Sequence, residues 1–313
     1  MSAAVDDIMV SVSLITYNHE KYIAKAINSI LAQEVNFNYE IIIGDDCSSD
    51  GTRKILEDYK RKYPHIIQLI LHPRRYDEIP GRTNNMTNLY NCRGKYIAML
   101  DGDDYWISKN KLQVQVNLLE ENPEYVLTFH NTLEITEDGS SPDRFHHENF
   151  DFLNENASFD QMDVANAWFM QTSTLLFRNH LIGEFPEWFR EVYSADYAIQ
   201  LLLTQFGKVY YLKNLLSARL YNMGSFSAQV KGTEMYHKLM IKERTFFNKK
   251  FGELNFSKKI AASYFAYSQF LYLQKSYLKS LYYLNLSILK DRKYFHFPFN
   301  SFKRKLLAKL KKR

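Results

Sequence analysis

Two hydrophobic periods alternate along the first hundred residues of this 313-residue chain. Ile8 to Ile15 (IMVSVSLI) is a short, apolar, β-branched run, and Tyr39 to Ile43 (YEIII), Ile66 to Leu71 and Lys95 to Leu100 (KYIAML) repeat its character. Between these runs the apolar positions fall at helical spacing. They are Tyr22, Ile23, Ala26, Ile27, Ile30 and Leu31 within Glu20–Gln33, then Ile55, Leu56 and Tyr59 within Gly51–Lys62, with a further helix over Thr83–Cys92. Strands that read as continuous apolar runs are buried on both faces, and their alternation with helices predicts crossover units and a mainly parallel sheet. Ligands of such sheets sit beyond the carboxyl ends of the strands.

Further along, a helix is predicted over Lys109–Glu121, opened by Ser108 and closed by Pro123. The stretch 136–167 is polar and long for a connection, so it reads as a functional loop or an irregular excursion. Strands return at Thr172–Arg178 and Lys208–Leu212, on either side of a helix at about 195–206. From about Gly232 only helical spacing remains, at Tyr236–Phe251, Lys258–Leu273 and Tyr277–Leu289. The last two resemble one helical-hairpin repeat, below the number a solenoid needs. The expected organisation is therefore an α/β domain over 1–230, a helical segment over 231–290 and a tail over 291–313.

Composition narrows the class. Apolar residues make up 46% and charged residues 24%, which excludes a disordered chain. Cys47 and Cys92 cannot staple a secreted fold or form a zinc cluster, so a reducing cytosol is the simplest setting. The net charge of +5 is local: residues 292–313 hold nine Lys and Arg and no acid, leaving 31 bases against 35 acids elsewhere. That pattern argues against nucleic acid as a partner and for a basic tail attached to a mildly acidic body. No apolar run reaches 18 residues, and Asp6 and Asp7 lead straight into strand-like sequence, so neither a spanning helix nor a signal peptide is expected.

Three polar clusters follow predicted strands: Thr16-Tyr17-Asn18-His19-Glu20, Asp45-Asp46-Cys47-Ser48-Ser49-Asp50-Gly51 and Asp101-Gly102-Asp103-Asp104. One acidic turn is usually a helix cap. Three on the same edge of one parallel sheet make a polar cleft. In the third, Gly102 lets the backbone turn tightly so that the flanking carboxylates converge. Clustered carboxylates repel unless a cation neutralises them, and a hard divalent ion, Mg²⁺ or Mn²⁺, suits oxygen ligands and leaves positions open for phosphate. The chain has neither a Walker lysine loop nor a GxGxxG motif, so what remains is a metal–diphosphate site without a glycine-rich cradle.

The blocks VSVSLITYNHEKYIAKAINSILAQ, YEIIIGDDCSSDGT and CRGKYIAMLDGDDYW, in this order over about residues 9–121, resemble a family-2 glycosyltransferase with the GT-A fold, of the bacterial surface-polysaccharide type. A looser likeness covers about 170–229. The resemblance implies a Rossmann-like, mainly parallel sheet flanked by helices, with the C-terminal helices as an appendage. It implies that Thr16, Tyr17 and Asn18, with Glu20 nearby, line the nucleotide base and ribose, and that Asp45 and Asp46 meet the base. Asp101 and Gly102 would lie at the ribose or a metal-bound water, and Asp103 would ligate the ion, with Asp101 as a second candidate ligand. Asp196, in SADYAIQ, matches the family's general base, and its alternative is a carboxylate favoured by a helix N-terminus. Such a site transfers a sugar from a nucleotide sugar, a UDP-sugar foremost, to a saccharide or lipid-linked saccharide hydroxyl with inversion.

The chain departs from the family in two places. Asn85-Met86-Thr87-Asn88 replaces an Arg-Asn-x-Gly pattern, with Arg82, Asn84 or Asn85 as substitutes. Tyr221 stands where relatives carry a histidine, while Arg219 is kept and can meet the diphosphate. Trp188, in PEWF, is either an acceptor-stacking platform or a core residue. His130, His146 and His147 read as loop or core residues. In the tail, Phe302, Leu306, Leu307 and Leu310 share one helical face with bases opposite, which suits the anionic inner face of a cell membrane, the alternatives being a solubilising tail or an RNA-binding arm. Two rival classes remain: a non-catalytic saccharide-binding scaffold, which would be indifferent to loss of Asp196, and a nucleotidyltransferase, which would need a basic phosphate loop.

Overall fold

The structure is a computed structural model that describes residues 8–77, 79–137, 139, 142–221, 224–291 and 298–311. The chain divides into two compact units, Met1–Arg190 with Ala195–Met223, and Glu191–Ser194 with Gly224–Arg313.

The first unit begins with β1 (Ile8–Thr16), α1 (Ile23–Leu31), β2 (Asn38–Asp45), α2 (Thr52–Lys62), β3 (Ile67–Leu71), α3 (Arg82–Asn91) and β4 (Tyr96–Asp101). It continues with β5 (Tyr105–Trp106), α4 (Lys111–Glu121), β6 (Tyr125–Thr136), β7 (Arg144–Phe145), β8 (Ala157–Phe159), α5 (Gln161–Asn166), β9 (Leu176–Arg178), α6 (Ala195–Leu203) and β10 (Lys208–Tyr221). The sheet runs β3-β2-β1-β4-β9-β6-β10-β5. Its first four strands are parallel, as their continuous apolar runs predict. Beyond β4 the order is mixed. β9 lies antiparallel between β4 and β6, and β10 pairs parallel with β6.

The core forms because each helix turns one apolar stripe to the sheet. Ile23, Ala26, Ile27 and Ile30 of α1 and Leu112, Val116 and Leu119 of α4 pack on Val10, Val12, Leu14, Ile41, Ile43, Ala98 and Leu100. Burial of each such Ile or Leu stabilises the unit by about 1.5–3 kcal/mol. Asn88 of α3 adds a polar tie, its amide donating to the carbonyls of Leu14 and Ile42 at 3.0 and 3.1 Å. Asn84 does the same to Gly44. Asn88, in the block that departs from the resembled pattern, and Asn84, one of its candidate substitutes, therefore hold strands.

The pattern missed β6. Its buried positions include His130, Asn131, Thr132 and Glu134, whose polarity hides a strand. Partners from the 136–167 excursion offset that polarity. His146 bridges the Glu134 carboxylate (2.8 Å) and the Phe169 carbonyl (2.9 Å), Arg144 meets Glu134, and the Asn131 amide meets His147. The excursion itself returns to the sheet, β7 on β6 and β8 on β10. The strand expected over Thr172–Arg178 is a 3₁₀ turn over Thr172–Thr174 followed by a three-residue strand, while Lys208–Leu212 extends to Tyr221.

The second unit contains α7 (Phe226–Val230), α8 (Glu234–Lys250), α9 (Ser257–Leu273), α10 (Tyr277–Lys290) and α11 (Pro298–Lys311). α9 and α10 approach closely through small residues, with Ser268 and Ser280 exchanging hydroxyl-to-carbonyl bonds and Ser287 donating to the Ala261 carbonyl. The tail expectation needs correcting here. Phe302, Leu306 and Leu310 of α11 pack in a cluster with Leu284, Phe265 and Ile288, so the apolar face expected to meet lipid is taken up by the protein, and Leu307 alone of that set is exposed. Arg292, Lys293, Lys312 and Arg313 lie outside the described residues.

Candidate active site

The register of the sheet brings the three clusters together. Thr16 is level with Asp45 and Ile15 with Asp101, so the turns after β1, β2 and β4 leave the same edge side by side.

The first two turns are stitched to each other. Asn18 and Cys47 take left-handed backbone angles, φ 54° and 65°. The Asn18 amide N–H donates to Ser48 Oγ, and Asn18 Oδ1 accepts from the Ser49 N–H at 2.8 Å. Glu20 Oε2 accepts from the Gly51 N–H, and Asp50 accepts from the Glu20 N–H. Asn18 and Glu20, two of the expected nucleotide contacts, thus make bonds that join the loops. Asp45 is fully buried. Its carboxylate accepts from the Ser48 N–H and hydroxyl and from Arg53 Nε at 2.6 Å, so it organises the turn. Asp46 differs. Oδ2 accepts from Arg75 (3.3 Å) and the Gly81 N–H (3.1 Å), while Oδ1 is buried with no partner. The Arg75 guanidinium lies 4.2 Å from the centre of the Tyr17 ring, forming a flat, cationic wall next to that free oxygen.

The third turn is acidic and largely buried. Gly102 is needed for space: a Cβ there would come within 2.7 Å of His19 Nδ1 and 2.9 Å of Thr16 Oγ1. Gly102 is not among the left-handed residues, so the missing side chain matters here for space. Asp104 is held by the Ser173 hydroxyl and by the Leu220 N–H at 2.9 Å, which ties the turn to β10. Asp196, in the first turn of α6, accepts from Thr172 Oγ1 at 3.3 Å.

These four carboxyls feel one another. Burial, followed by repulsion from Asp104, Asp103 and Asp196, holds the Asp101 carboxyl well above the usual range. Burial pushes Asp103 up to about 6, and burial with Asp103 beside it pushes Asp104 up to about 7. Asp196 is raised by burial, against the pull of the Tyr197 N–H and the Arg82 charge. Arg219 draws all four downward. His19 is driven to about 4 by burial and is neutral at physiological pH; its Nε2 stands 3.9 Å from Asp103 Oδ2. Tyr221 turns to Arg219 (3.2 Å) and Glu134 (3.4 Å).

The donor set suits one kind of ion. Among the described residues no group of three or more His, Cys, Asp or Glu side chains is arranged to hold a metal by itself. Mg²⁺ and Mn²⁺ keep waters and bind through one or two carboxylates plus substrate phosphates, so Asp103 with Asp101 fits an ion that arrives on a diphosphate. Such an ion would also relieve the crowding that raises these carboxyls.

One expected residue is elsewhere in role. Trp188 is 7% exposed and packs at Phe189, which leaves no face for stacking an acceptor sugar. Sequence reasoning assigned no role to Arg75, Ser173 and Asp104. The third aspartate of one turn was the available signal for Asp104; Arg75 and Ser173 carried none.

Acidic turns gathered at the carboxyl edge of a part-parallel sheet lie where the ligands of such sheets bind. Residues 11–179, just over half of the chain, match glycosyl transferase family 2, and the chain belongs to that family. A segment of 168 residues is 35% identical to an uncharacterised protein of Mycobacterium tuberculosis, covering 54% of this chain and 46% of that one. A segment of 118 residues is 37% identical to the Escherichia coli UDP-Glc:alpha-D-GlcNAc-diphosphoundecaprenol beta-1,3-glucosyltransferase WfgD, covering 37% and 43%. The matched segments thus span under half the length of these relatives. Among solved structures, S. aureus TarS 1–349 in complex with UDP-GlcNAc superposes with a TM-score of 0.65 at 20% identity over 90% of this chain and 81% of that one. The mannosyltransferase PcManGT from Pyrobaculum calidifontis, in complex with GDP-Man and Mn²⁺, gives 0.57 at 14% identity over 96% and 79%. At these identities the likeness is one of fold, the GT-A fold expected from the sequence.

Proposed function

We propose that this chain transfers a sugar from a nucleotide-sugar donor, a UDP-sugar foremost, to a hydroxyl of a saccharide acceptor, with inversion at the anomeric carbon. The observation that carries the reading is that the Asp101–Asp104 turn leaves the sheet edge beside the turns after β1 and β2, with Asp104 and Asp196 tied to the adjacent Ser173 and Thr172. Tyr17 and Arg75 wall the base, and the free Asp46 Oδ1 accepts a ring N–H such as that of uracil. Thr16, whose Oγ1 is buried without a partner, lies against Gly102 of the third turn. Asn18, Glu20 and Asp45 support this pocket by fixing the two loops.

Asp103 and Asp101 would hold Mg²⁺ or Mn²⁺. When bound, the ion supplies positive charge against the diphosphate that leaves. Arg219 adds a fixed cation on the same side. Asp196, raised by burial, takes the proton of the acceptor hydroxyl as that oxygen bonds to the anomeric carbon and the sugar–diphosphate bond breaks. With Asp101 and Asp103 assigned to the ion, and Asp104 held by Ser173 and Leu220, Asp196 is left as the base, which gives inversion; retention by double displacement would need a second carboxylate as nucleophile.

The acceptor of WfgD is, by its name, a lipid-linked saccharide, and we extend the same class to this chain, in surface-polysaccharide synthesis at the inner face of the membrane. Among the described residues no helix is long and apolar enough to cross a membrane. A panel of nucleotide sugars assayed for release of the nucleoside diphosphate, with Asp196→Asn alongside, tests the reading. Turnover with one donor, lost by a factor of at least 10² in Asp196→Asn while UDP still binds, is the expected result. Equal turnover in the variant would overturn it.

A further inference from the structure

The C-terminal part of the chain is strongly basic. Residues 255–313 hold fourteen Lys and Arg against one acid, Asp291, whereas the rest of the chain holds 26 bases against 34 acids. So steep an asymmetry points to a polyanionic partner.

α10 shows which face meets it. One side of the helix, Ser280 and Ser287, lies against α9. A second side, Leu281, Leu284 and Ile288, lies in the cluster that takes Phe302, Leu306 and Leu310 of α11. The third side is apolar and bare. Leu278, Tyr282 and Leu289 are 76%, 59% and 70% exposed, and their spacing sets them along one line of the helix. Leu273, 76% exposed, precedes that line at the end of α9, and the exposed Lys275, Lys279 and Lys290 accompany it. Arg304, Lys305 and Lys309 of α11 are exposed as well. An aromatic with a polar tip between two leucines, bordered by lysines, is the composition of a surface that sits at a lipid headgroup boundary.

We propose that the second unit docks on an anionic lipid bilayer through the α10 line, with Leu278, Tyr282 and Leu289 at the boundary between headgroups and acyl chains, while the apolar face of α11 stays in the helical bundle. This rests on the membrane reading above and assigns the contact to α10, where the sequence pointed to the tail. Charge selects the occupant. A second copy would bring an equally basic unit against this one, and a nucleic acid has no use for exposed leucines. A bilayer rich in acidic headgroups answers both the bases and the apolar line.

The test is flotation of the full chain with vesicles of phosphatidylcholine alone and with 30% phosphatidylglycerol, at 0.1 and 0.5 M NaCl. The expected result is binding to the anionic vesicles only, weakened by salt. It should fall at least tenfold in Leu278→Ser/Tyr282→Ser/Leu289→Ser at unchanged melting temperature and elution volume. Should the triple variant melt lower, Tyr282→Glu alone carries the test, with the same expected direction. Three results would overturn the proposal, at different levels. No binding of the natural chain to anionic vesicles removes the membrane reading itself. Equal binding by the variant, with faster hydrogen exchange in α11 on vesicles, returns the contact to the tail. A natural chain that is a dimer and a variant that is a monomer makes the α10 line a protein interface.

Discussion

Replacing Asp103 by asparagine should stabilise the protein when no ion or nucleotide is present. The carboxyl is held at about 6 in the fold, against an ordinary value near 4 in the unfolded chain. At pH 7.5 the folded state must keep this buried group ionised, which costs on the order of 2 kcal/mol at about 1.4 kcal/mol per pH unit, trimmed for the residual contact with water. The sign follows from the raised value. The group's favourable contribution is complete below about pH 4, and it is lost as the pH rises through about 6. Asparagine never ionises, so it escapes the loss and also removes one source of repulsion on Asp104. For a unit of this size the gain corresponds to a melting point higher by roughly 3–8 °C at pH 7.5, shrinking by about half at pH 5. Thermal unfolding in chelator at the two pH values measures it. A variant that melts lower than the natural protein at pH 7.5, or by a gap that does not change with pH, would refute the reasoning.

Other substitutions separate scaffold from chemistry. Asp45→Ala strands the Arg53 guanidinium and the Ser48 N–H and should lower stability by about 3 kcal/mol in urea titration, with UDP affinity falling only as the turn loosens. Lys111 is fully buried, its Nζ lies 4.0 Å from the centre of the Trp106 ring with no hydrogen-bond partner, and burial holds it well below its usual range. Lys111→Met should therefore raise the unfolding free energy measured in urea by about 1–3 kcal/mol, and leave turnover unchanged. Gly102→Ala drives a methyl group into His19 and Thr16 and should weaken nucleotide binding at least tenfold in calorimetry while the far-ultraviolet spectrum stays the same.

The sequence made some of this architecture readable and hid the rest. β1, β2 and β4 are apolar on both faces, so their period and their parallel order could be read directly, and the acidic turns at their ends followed. β6 could not, because His130, Asn131 and Glu134 look like loop residues until His146, His147 and Arg144 return from the excursion to satisfy them. The same limit applies at the site. Asp45 and Asp46 are adjacent and alike in sequence, yet Arg53 and Ser48 occupy the first while an oxygen of the second stays free. Amphipathic spacing in the tail was read correctly as an apolar face. Which surface that face would cover depended on α9 and α10, which the spacing of the tail does not report.

Calorimetric titration of UDP into the protein, with and without Mn²⁺, addresses the central claim that Asp103 and Asp101 grip an ion carried on a diphosphate. The account predicts that Mn²⁺ tightens UDP at least tenfold in the natural chain and leaves Asp103→Asn unaffected. UDP binding of equal strength with and without the ion, or the same tightening in the variant, would contradict it.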